Sequence, residues 1–209
     1  SKGNILDPLE IIETYGLDPL RYYLIKEVSF GNDGSISKDK LENCINSDLA
    51  NNFGNFCQRV LAFTEKNLES KIPDFYQLNK EDNEILEIYN LRFNELNNKI
   101  NHQDLNHYTN FIQNQLFLAN KYFNDQEPWK KKDDIKRLKS ILYVSLELIR
   151  KVSILLYPII PSTSLKVLKI FSILENQIDF NSIKQHDILM KNTQIGKLSI
   201  LFRKIDKND

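Results

Sequence analysis

Asn55 and Arg59 are the first side chains whose types and spacing could do chemistry. They lie four residues apart in a segment with helical periodicity, so they share one helix face, opposite the apolar positions Phe53, Cys57 and Val60. An amide carries both a donor and an acceptor, and a guanidinium carries a fork of donors, so the pair is suited to the hydrogen-bonding edges of unstacked nucleobases. The alternative is an ordinary solvated face. On this helical pattern, Asp48, Asn52 and Lys66 are expected on the same outward side.

Trp129 is the single tryptophan of the chain and directly follows Pro128. Lys130, Lys131 and Lys132 come next. An indole held by a proline and flanked by cations is suited to stacking on a base while the lysines contact phosphates. The alternative is that the indole packs the start of the next helix against its neighbours.

Other kinds of site have weaker support. The three histidines, His102, His107 and His186, have no metal-ligand spacing with the two cysteines, so we expect no metal site. No glycine-rich phosphate loop or nucleophile elbow occurs. The 28 basic residues equal the 28 acidic ones, so any affinity for RNA must come from placed side chains and not from general charge.

The elements that must position these residues are helices. Four long stripes with helical spacing predict a mainly all-α antiparallel bundle. Their apolar positions are Ile45, Leu49, Phe53, Cys57, Val60 and Leu61; Ile85, Leu86, Tyr89, Phe93, Leu96 and Ile100; Leu105, Tyr108, Ile112, Leu116, Ala119 and Phe123; and Leu138, Ile141, Leu142, Leu148, Ile149 and Val152.

The flanks of the bundle are shorter elements. Residues 7–24 predict two short helices back to back, and a further short helix is expected over 164–171, after Pro158 and Pro161. A turn at 31–34 precedes a possible short strand at 35–37, and the tail 197–205 predicts either a terminal strand or an extended arm that packs back. We therefore divide the chain into a linker with short α/β elements (1–40), a helical domain (41–175) and a C-terminal extension (176–209).

Two short patterns, in this order and at this separation, give the chain a family resemblance. Asn55-Phe56-Cys57-Gln58-Arg59, together with its approach Asn46–Asn55, and Pro128-Trp129 resemble the anticodon-binding elements of methionyl-tRNA synthetases. Residues 1–24 resemble the segment that follows the KMSKS loop of these class I enzymes. The resemblance implies the anticodon-binding bundle of class Ia synthetases, with Trp129 stacking on the first base of the CAU anticodon and Asn55 and Arg59 bonding base edges. Lys66 and Lys130–Lys132 would then contact the RNA backbone.

The same resemblance carries expectations about the whole enzyme. Ser1 is the only position that matches the KMSKS signature, so we expect no catalytic residue and no cofactor in these 209 residues. ATP with magnesium, and the attachment of methionine to tRNA(Met), would belong to a parent enzyme that contains the missing catalytic domain. We expect a cytoplasmic location and no membrane partner, because no apolar run is long enough to span a bilayer and the cysteines are placed too far apart to pair. The alternatives are the anticodon domain of a cysteinyl or leucyl enzyme, or a helical protein-interaction scaffold.

Overall fold

The computed structural model describes residues 7–27, 37–75, 77–91, 96 and 104–206, and these residues are mainly helical. The prediction of an all-α bundle is confirmed, since the described residues contain no β-sheet and only the isolated bridge between Lys71 and Gln194. In chain order the helices are α1 (Pro8–Tyr15), α2 (Leu17–Glu27), α3 (Lys38–Cys44), a π-helical segment (Ile45–Gly54), α4 (Asn55–Leu68), α5 (Lys80–Leu91), α6 (Leu105–Gln126), α7 (Ile135–Leu156) and α8 (Pro161–Ile170). Three 3-10 turns occupy Pro128–Lys130, Glu175–Gln177 and Phe180–Lys184.

The two short helices predicted near the start are α1 and α2. Asp7 caps α1 by accepting a hydrogen bond from the Leu9 amide (2.9 Å), and Pro8 occupies the first helical position, where its missing N–H costs nothing. Gly16 separates the helices with a φ of 92°, a conformation that favours glycine. Side chains of α2 then fix it to the bundle: Asp18 accepts from the amide and hydroxyl of Thr163 (2.6 and 2.7 Å).

Helix α7 is the centre of the bundle. It packs against α4, α5, α6 and α8, and every residue from Ser140 to Leu156 is buried. A helix with neighbours on all sides buries its whole circumference, which explains why its apolar stripe is wider than the stripes of the other helices. The predicted apolar positions of α4 and α7 are buried, apart from the partly exposed Leu61.

One predicted apolar position of the outer helices needs correction, and several others lie outside the described residues. Leu105, expected in the core, is 36% exposed; it is the first residue of α6, at the end of the helix. Ile85, Leu86 and Leu96 are buried as predicted. The side chain of Tyr89, and residues 93 and 100, lie outside the described residues, as do residues 31–36, which include the predicted turn and most of the possible strand. Ser37 caps α3 through the Lys40 amide (3.2 Å).

The π-helical segment changes the face on which the preceding residues lie. The Asn55 amide points to the carbonyl of Ala50, five residues earlier, as in a π-helix. A rotation of 100° per residue therefore fails upstream of Asn55, and the prediction that Asp48 faces outward with Asn55 is wrong. Asp48 is 8% exposed and accepts from Lys26 Nζ (2.7 Å) and from the Tyr22 hydroxyl (3.1 Å).

The end of the chain forms an extended arm, which we call the C-terminal arm (residues 195–206). It is one of the two predicted alternatives, and it forms no strand. The arm begins beside the end of α8, where the Gly196 amide donates to the Ile170 carbonyl (2.8 Å). It ends beside the π-helical segment, where the Asn46 side chain makes two hydrogen bonds of 2.8 Å with the backbone of Ile205. The arm therefore runs along the helix that carries Asn55 and Arg59.

Among the described residues, no helix has both the length and the apolar character that crossing a membrane requires.

Candidate functional site

Trp129 lies in the 3-10 turn that follows α6. Glu127 ends α6 in the left-handed conformation (φ 45°), and Pro128 is buried beneath the turn. The indole is 41% exposed and meets the ring of Phe123 edge to face, with centroids 6.2 Å apart and planes at 70°. One part of the ring is thus packed against the bundle, and the rest is open to solvent.

Arg59 is held over the same phenylalanine. Its guanidinium carbon lies 5.4 Å from the centroid of the Phe123 ring, within the range of a cation–π contact. Its Nη2 donates to Asn124 Oδ1 (2.6 Å). A guanidinium has five N–H donors, so this bond orients the group and leaves most of its donors available to a ligand.

Phe123 organises the site from below. It is 2% exposed, and Phe56 and Phe63 also meet it edge to face, with centroid distances of 6.5 and 6.3 Å. Sequence reasoning assigned Phe123 only to the core of the bundle. Its position is that of a buried support which holds both Trp129 and Arg59 in place.

A shallow pocket of about 310 Å³ opens between these side chains. We call it the Trp129 pocket; its lining residues are Arg59, Ala62, Phe63, Lys66, Phe123 and Trp129. Two of the anticodon candidates, Arg59 and Trp129, therefore share one pocket although they are seventy residues apart in the chain. Lys66, one of the expected backbone contacts, lies on the rim with its side chain exposed.

The remaining candidates lie outside the Trp129 pocket. Asn55 is the exposed first residue of α4, one helical turn before Arg59, and its side-chain amide has no hydrogen-bond partner among the described residues. Lys130 pairs with Glu127 (2.8 Å), an exposed pair of little energetic weight. Lys131 and Lys132 are exposed on the turn between α6 and α7.

Asn52 has a structural partner on α6 and is not open to a ligand in the same way. Its Nδ2 donates to Gln113 Oε1 (2.7 Å), and its Oδ1 accepts from Asn120 (3.0 Å). Together with the bond between Arg59 and Asn124, these amide contacts connect α6 to the π-helical segment and to α4. Sequence reasoning missed Asn120 and Asn124; the available signal was that each lies on a polar stripe of α6 with Gln113.

A second group of charged residues is buried in the core. Glu147, Arg150 and Lys151 of α7 are each at most 1% exposed. Arg150 Nε donates to Glu147 (2.8 Å), and its other nitrogens donate to the carbonyls of Ser182 and Gln185.

Lys151 Nζ donates to the carbonyls of Ile183 and Gln185. Burial, reinforced by the neighbouring Arg150 charge, lowers the pKa of Lys151 to about 7, against the opposing effect of Glu147. These side chains tie the segment 182–189 to α7, since Glu147 also accepts from the Leu189 amide (3.1 Å). This group is the buried α7 cluster (Glu147, Arg150 and Lys151).

The cysteines and histidines have structural surroundings. Cys44 and Cys57 are buried free thiols, and burial raises the pKa of Cys44 to about 12 and also raises that of Cys57. His186 pairs with Glu87 (3.2 Å). In the part of the chain that the structure describes, no three His, Cys, Asp or Glu side chains are grouped so that they could hold a metal ion.

Two family profiles match the chain. Residues 1–61 match the profile described as class I tRNA synthetases (M), and residues 72–209 match the one described as the anticodon binding domain of methionyl tRNA ligase. Together they cover most of the chain.

Relatives of known function agree with the profiles. A methionine–tRNA ligase of Brucella suis is 38% identical over 184 residues, which are 88% of this chain and 36% of the relative. One of Caldanaerobacter subterraneus is 33% identical over 209 residues, which are 99% of this chain and 33% of the relative. The chain thus spans about a third of the length of these relatives.

Solved structures show the same fold. The apo form of Mycobacterium tuberculosis methionyl-tRNA synthetase superposes with a TM-score of 0.89 and 30% identity, covering 98% of this chain and 42% of that one. The same enzyme in complex with methionyl-adenylate gives a TM-score of 0.88 and 32% identity, covering 96% of this chain and 40% of that one. By profile, sequence and fold, the chain belongs to the family of methionyl-tRNA ligase anticodon-binding domains.

Proposed function

We propose that this chain recognises the CAU anticodon of tRNA(Met) as part of a methionine–tRNA ligase. The observation that carries the proposal is the common pocket of Arg59 and Trp129 above Phe123. A stacking surface and a fork of donors stand side by side there, and protein recognition of single-stranded RNA combines these two contacts.

Trp129 stacks on the first anticodon base. The turn after α6 and the edge contact with Phe123 fix the orientation of the indole, while its exposed part remains open. A rigid aromatic side chain loses little conformational entropy when a base covers it, and stacking of one base contributes about 1–3 kcal/mol.

Arg59 and Asn55 read base edges. The bond to Asn124 and the contact with Phe123 hold the guanidinium before RNA arrives, so less freedom is lost on binding. Asn55, one turn away on the same helix face, offers a donor and an acceptor that no described residue occupies. The pair can therefore serve two neighbouring bases of the triplet.

Phosphate contacts come from the lysines around the pocket. Lys66 is on the rim, while Lys130, Lys131 and Lys132 follow Trp129 on the exposed turn. Because the chain as a whole has a net charge of zero, we expect only a few phosphates to be neutralised and a modest dependence of binding on salt.

Aminoacylation itself is proposed for the longer protein. Attachment of methionine with ATP and magnesium would use a catalytic domain joined to this chain, and the residues described here would supply recognition. In this division, residues 1–40 link catalysis to the helical domain (41–175). Side chains of α2 support a rigid link, because Asp18 bonds Thr163 and Arg21 donates to the carbonyls of Ile159 (2.7 Å) and Pro158 (2.9 Å).

The test is a titration of the chain with an anticodon stem-loop RNA while the fluorescence of Trp129 is recorded. We expect quenching by a CAU stem-loop and a much weaker response to the same stem-loop with an altered triplet. Equal responses to both RNAs would indicate general RNA binding and would contradict the proposed specificity for the CAU triplet. No response to either RNA would overturn the proposal and favour a helical scaffold for protein partners.

A further inference from the structure

A second groove lies on the other side of α4. It has a volume of about 370 Å³ and separates α4 from the C-terminal arm, so we call it the arm groove. Its lining residues are Gln58, Leu61, Ala62, Glu65, Ser70, Ile195, Gly196, Lys197 and Leu198.

The arm groove adjoins the Trp129 pocket. At 100° per residue, Arg59 and Phe63 lie on one flank of the exposed face of α4, and Gln58 and Glu65 lie on the other. Ala62 lines both cavities, so the ridge between them is only as high as a methyl group. A flexible single strand could cross the helix at this low point and place one base on each side.

The walls of the arm groove have the chemistry of a nucleobase site. Leu61 and Leu198 are partly exposed apolar side chains, one on α4 and one on the arm. Gln58 and Glu65 are exposed, and neither side chain has a hydrogen-bond or ion-pair partner among the described residues. Lys197 on the arm places a cation beside them.

The acceptor chemistry selects among bases. An ionised carboxylate only accepts hydrogen bonds, so Glu65 suits an exocyclic amino group, and the Gln58 amide can donate to the adjacent ring nitrogen. Adenine and cytosine present this combination of amino group and ring acceptor, whereas uracil has no amino group. The carboxylate also disfavours a bare phosphate at this position, so a base is the better occupant.

The arm is fixed firmly enough to form a wall. Ile195 is buried and its amide donates to the Ser70 carbonyl (2.7 Å), while Gly196 is so close to Ile170 that an added Cβ would lie 3.2 Å from its Cα. At the other end, Asn46 holds the backbone of Ile205 with two bonds. The groove is therefore present before any ligand binds.

We propose that the arm groove is a second nucleobase subsite. It takes an unpaired adenine or cytosine of the RNA loop, and the base next to that adenine or cytosine stacks on Trp129. The inference rests on the proposed function, since it needs the RNA to be held at the Trp129 pocket. It assigns a role in recognition to Gln58, Glu65 and the C-terminal arm.

The experiment removes one amino group at a time from the RNA. In a CAU stem-loop, each unpaired adenine is replaced by purine riboside and each unpaired cytosine by 2-pyrimidinone riboside. Binding is measured by calorimetry with the wild-type chain and with Glu65→Ala, Gln58→Ala and the control Glu84→Ala, an exposed helical glutamate on α5.

At one loop position other than the base stacked on Trp129, we expect removal of the amino group to weaken wild-type binding about tenfold, the effect of one hydrogen bond to a charged acceptor. With Glu65→Ala the same replacement should change binding less than twofold, and with Glu84→Ala it should again cost about tenfold. Because Glu65→Ala also removes a negative charge near RNA, its overall affinity can rise without affecting this comparison.

The outcomes distinguish the two proposals. If CAU RNA quenches Trp129 but no loop position couples to Glu65 or Gln58, the second subsite is overturned and the proposed function stands. If wild-type Trp129 does not respond to the RNA at all, the proposed function fails first.

Discussion

The buried α7 cluster and the Trp129 pocket use similar groups for opposite purposes. In both, a guanidinium lies beside a side-chain acceptor: Arg150 bonds Glu147, and Arg59 bonds Asn124. Arg150 is 1% exposed, and its other two nitrogens donate to backbone carbonyls, whereas the guanidinium of Arg59 is anchored by one bond and borders an open pocket.

The difference lies in which donors are already used. A buried cation with a hydrogen bond at each nitrogen contributes to holding two segments together, and removing its carboxylate partner leaves an uncompensated charge. A cation that is oriented by one bond and otherwise solvated can transfer its donors to a ligand at low cost. Stability should therefore be sensitive at α7, and RNA binding should be sensitive at the surface of α4 and α6.

The largest effect should follow from breaking the buried cluster. Glu147→Ala leaves Arg150 without its carboxylate and the Leu189 amide without its acceptor, so we expect the free energy of unfolding to fall by about 3–5 kcal/mol. Urea denaturation followed by circular dichroism measures the loss. Glu13→Ala, at an exposed position of α1, is the control and should change stability by less than about 0.5 kcal/mol. A loss of the same small size in Glu147→Ala would contradict the assigned role.

The second effect is on the pH dependence of stability. Lys151 has a pKa of about 7 in the folded chain, below the ordinary value near 10.4, so between these values the unfolded state binds a proton that the folded state has released. Stability should therefore rise from about pH 7 toward pH 8.5, by up to about 2 kcal/mol. Above about pH 8.5 the rise should stop and then reverse, because burial raises the pKa values of Cys44, Cys57, Tyr22 and Tyr122 and the unfolded chain loses these protons first.

Denaturation curves between about pH 7 and pH 8.5, below the range in which the unfolded thiols ionise, test this dependence. Lys151→Met should flatten the rise, while Lys169→Met, at an exposed position of α8, should retain it. A wild-type slope in Lys151→Met would show that another group is responsible.

At the surface, the expected effects are on RNA binding. Trp129→Ala should weaken binding of a CAU stem-loop by about 1–3 kcal/mol through loss of stacking, and Trp129→Phe should recover part of that loss. Calorimetry is the suitable measurement because the variants lack the fluorescent residue. Unfolding free energy should change far less than in Glu147→Ala; unchanged RNA affinity in Trp129→Ala would remove this residue from the site.

The smallest effect separates orientation from contact. Arg59→Ala should cost about 1–3 kcal/mol of RNA binding for a lost base-edge contact. Asn124→Ala keeps the guanidinium but releases it, so we expect a cost of only about 0.5–1 kcal/mol, and almost none when Arg59 is already alanine. Asn114→Ala, an exposed amide on the same helix, should have no effect. Additive losses in the double variant would show that Asn124 acts independently of Arg59.

Helical periodicity predicted the bundle well because apolar positions such as Ile112, Leu116 and Ile149 have no other use than burial. It failed at Asp48, where the π-helical segment alters the rotation per residue, and it missed the burial of Arg150 and Lys151. A charged residue is expected at the surface, and its burial depends on carbonyl groups from a distant segment that no local pattern reveals.

The site shows the same division. The types and order of Asn55, Arg59 and Trp129 were visible in the chain, and the latter two share a pocket because Trp129 lies in the short turn directly after α6, against Phe123 near the end of that helix. The arm groove was not predictable, because it requires the irregular residues 195–198 to lie against α4. Similarly, the role of Asn124 in orienting Arg59 follows only from the short distance between the two side chains.

α3, the π-helical segment and α4 follow one another without a break from Lys38 to Leu68, and this continuous helix carries the two cysteines. The alkylation of their thiols can report local unfolding of the helix. A thiolate is the form that alkylating reagents attack, and both Cys44 and Cys57 are buried and have raised pKa values, so neither should be modified while the helix is packed. Cys44 lies in α3, before the π-helical segment, and Cys57 lies after it, in α4. If the first is alkylated faster than the second under native conditions, α3 detaches without the rest, and the π-helical segment is the place at which the helix separates into two cooperative units.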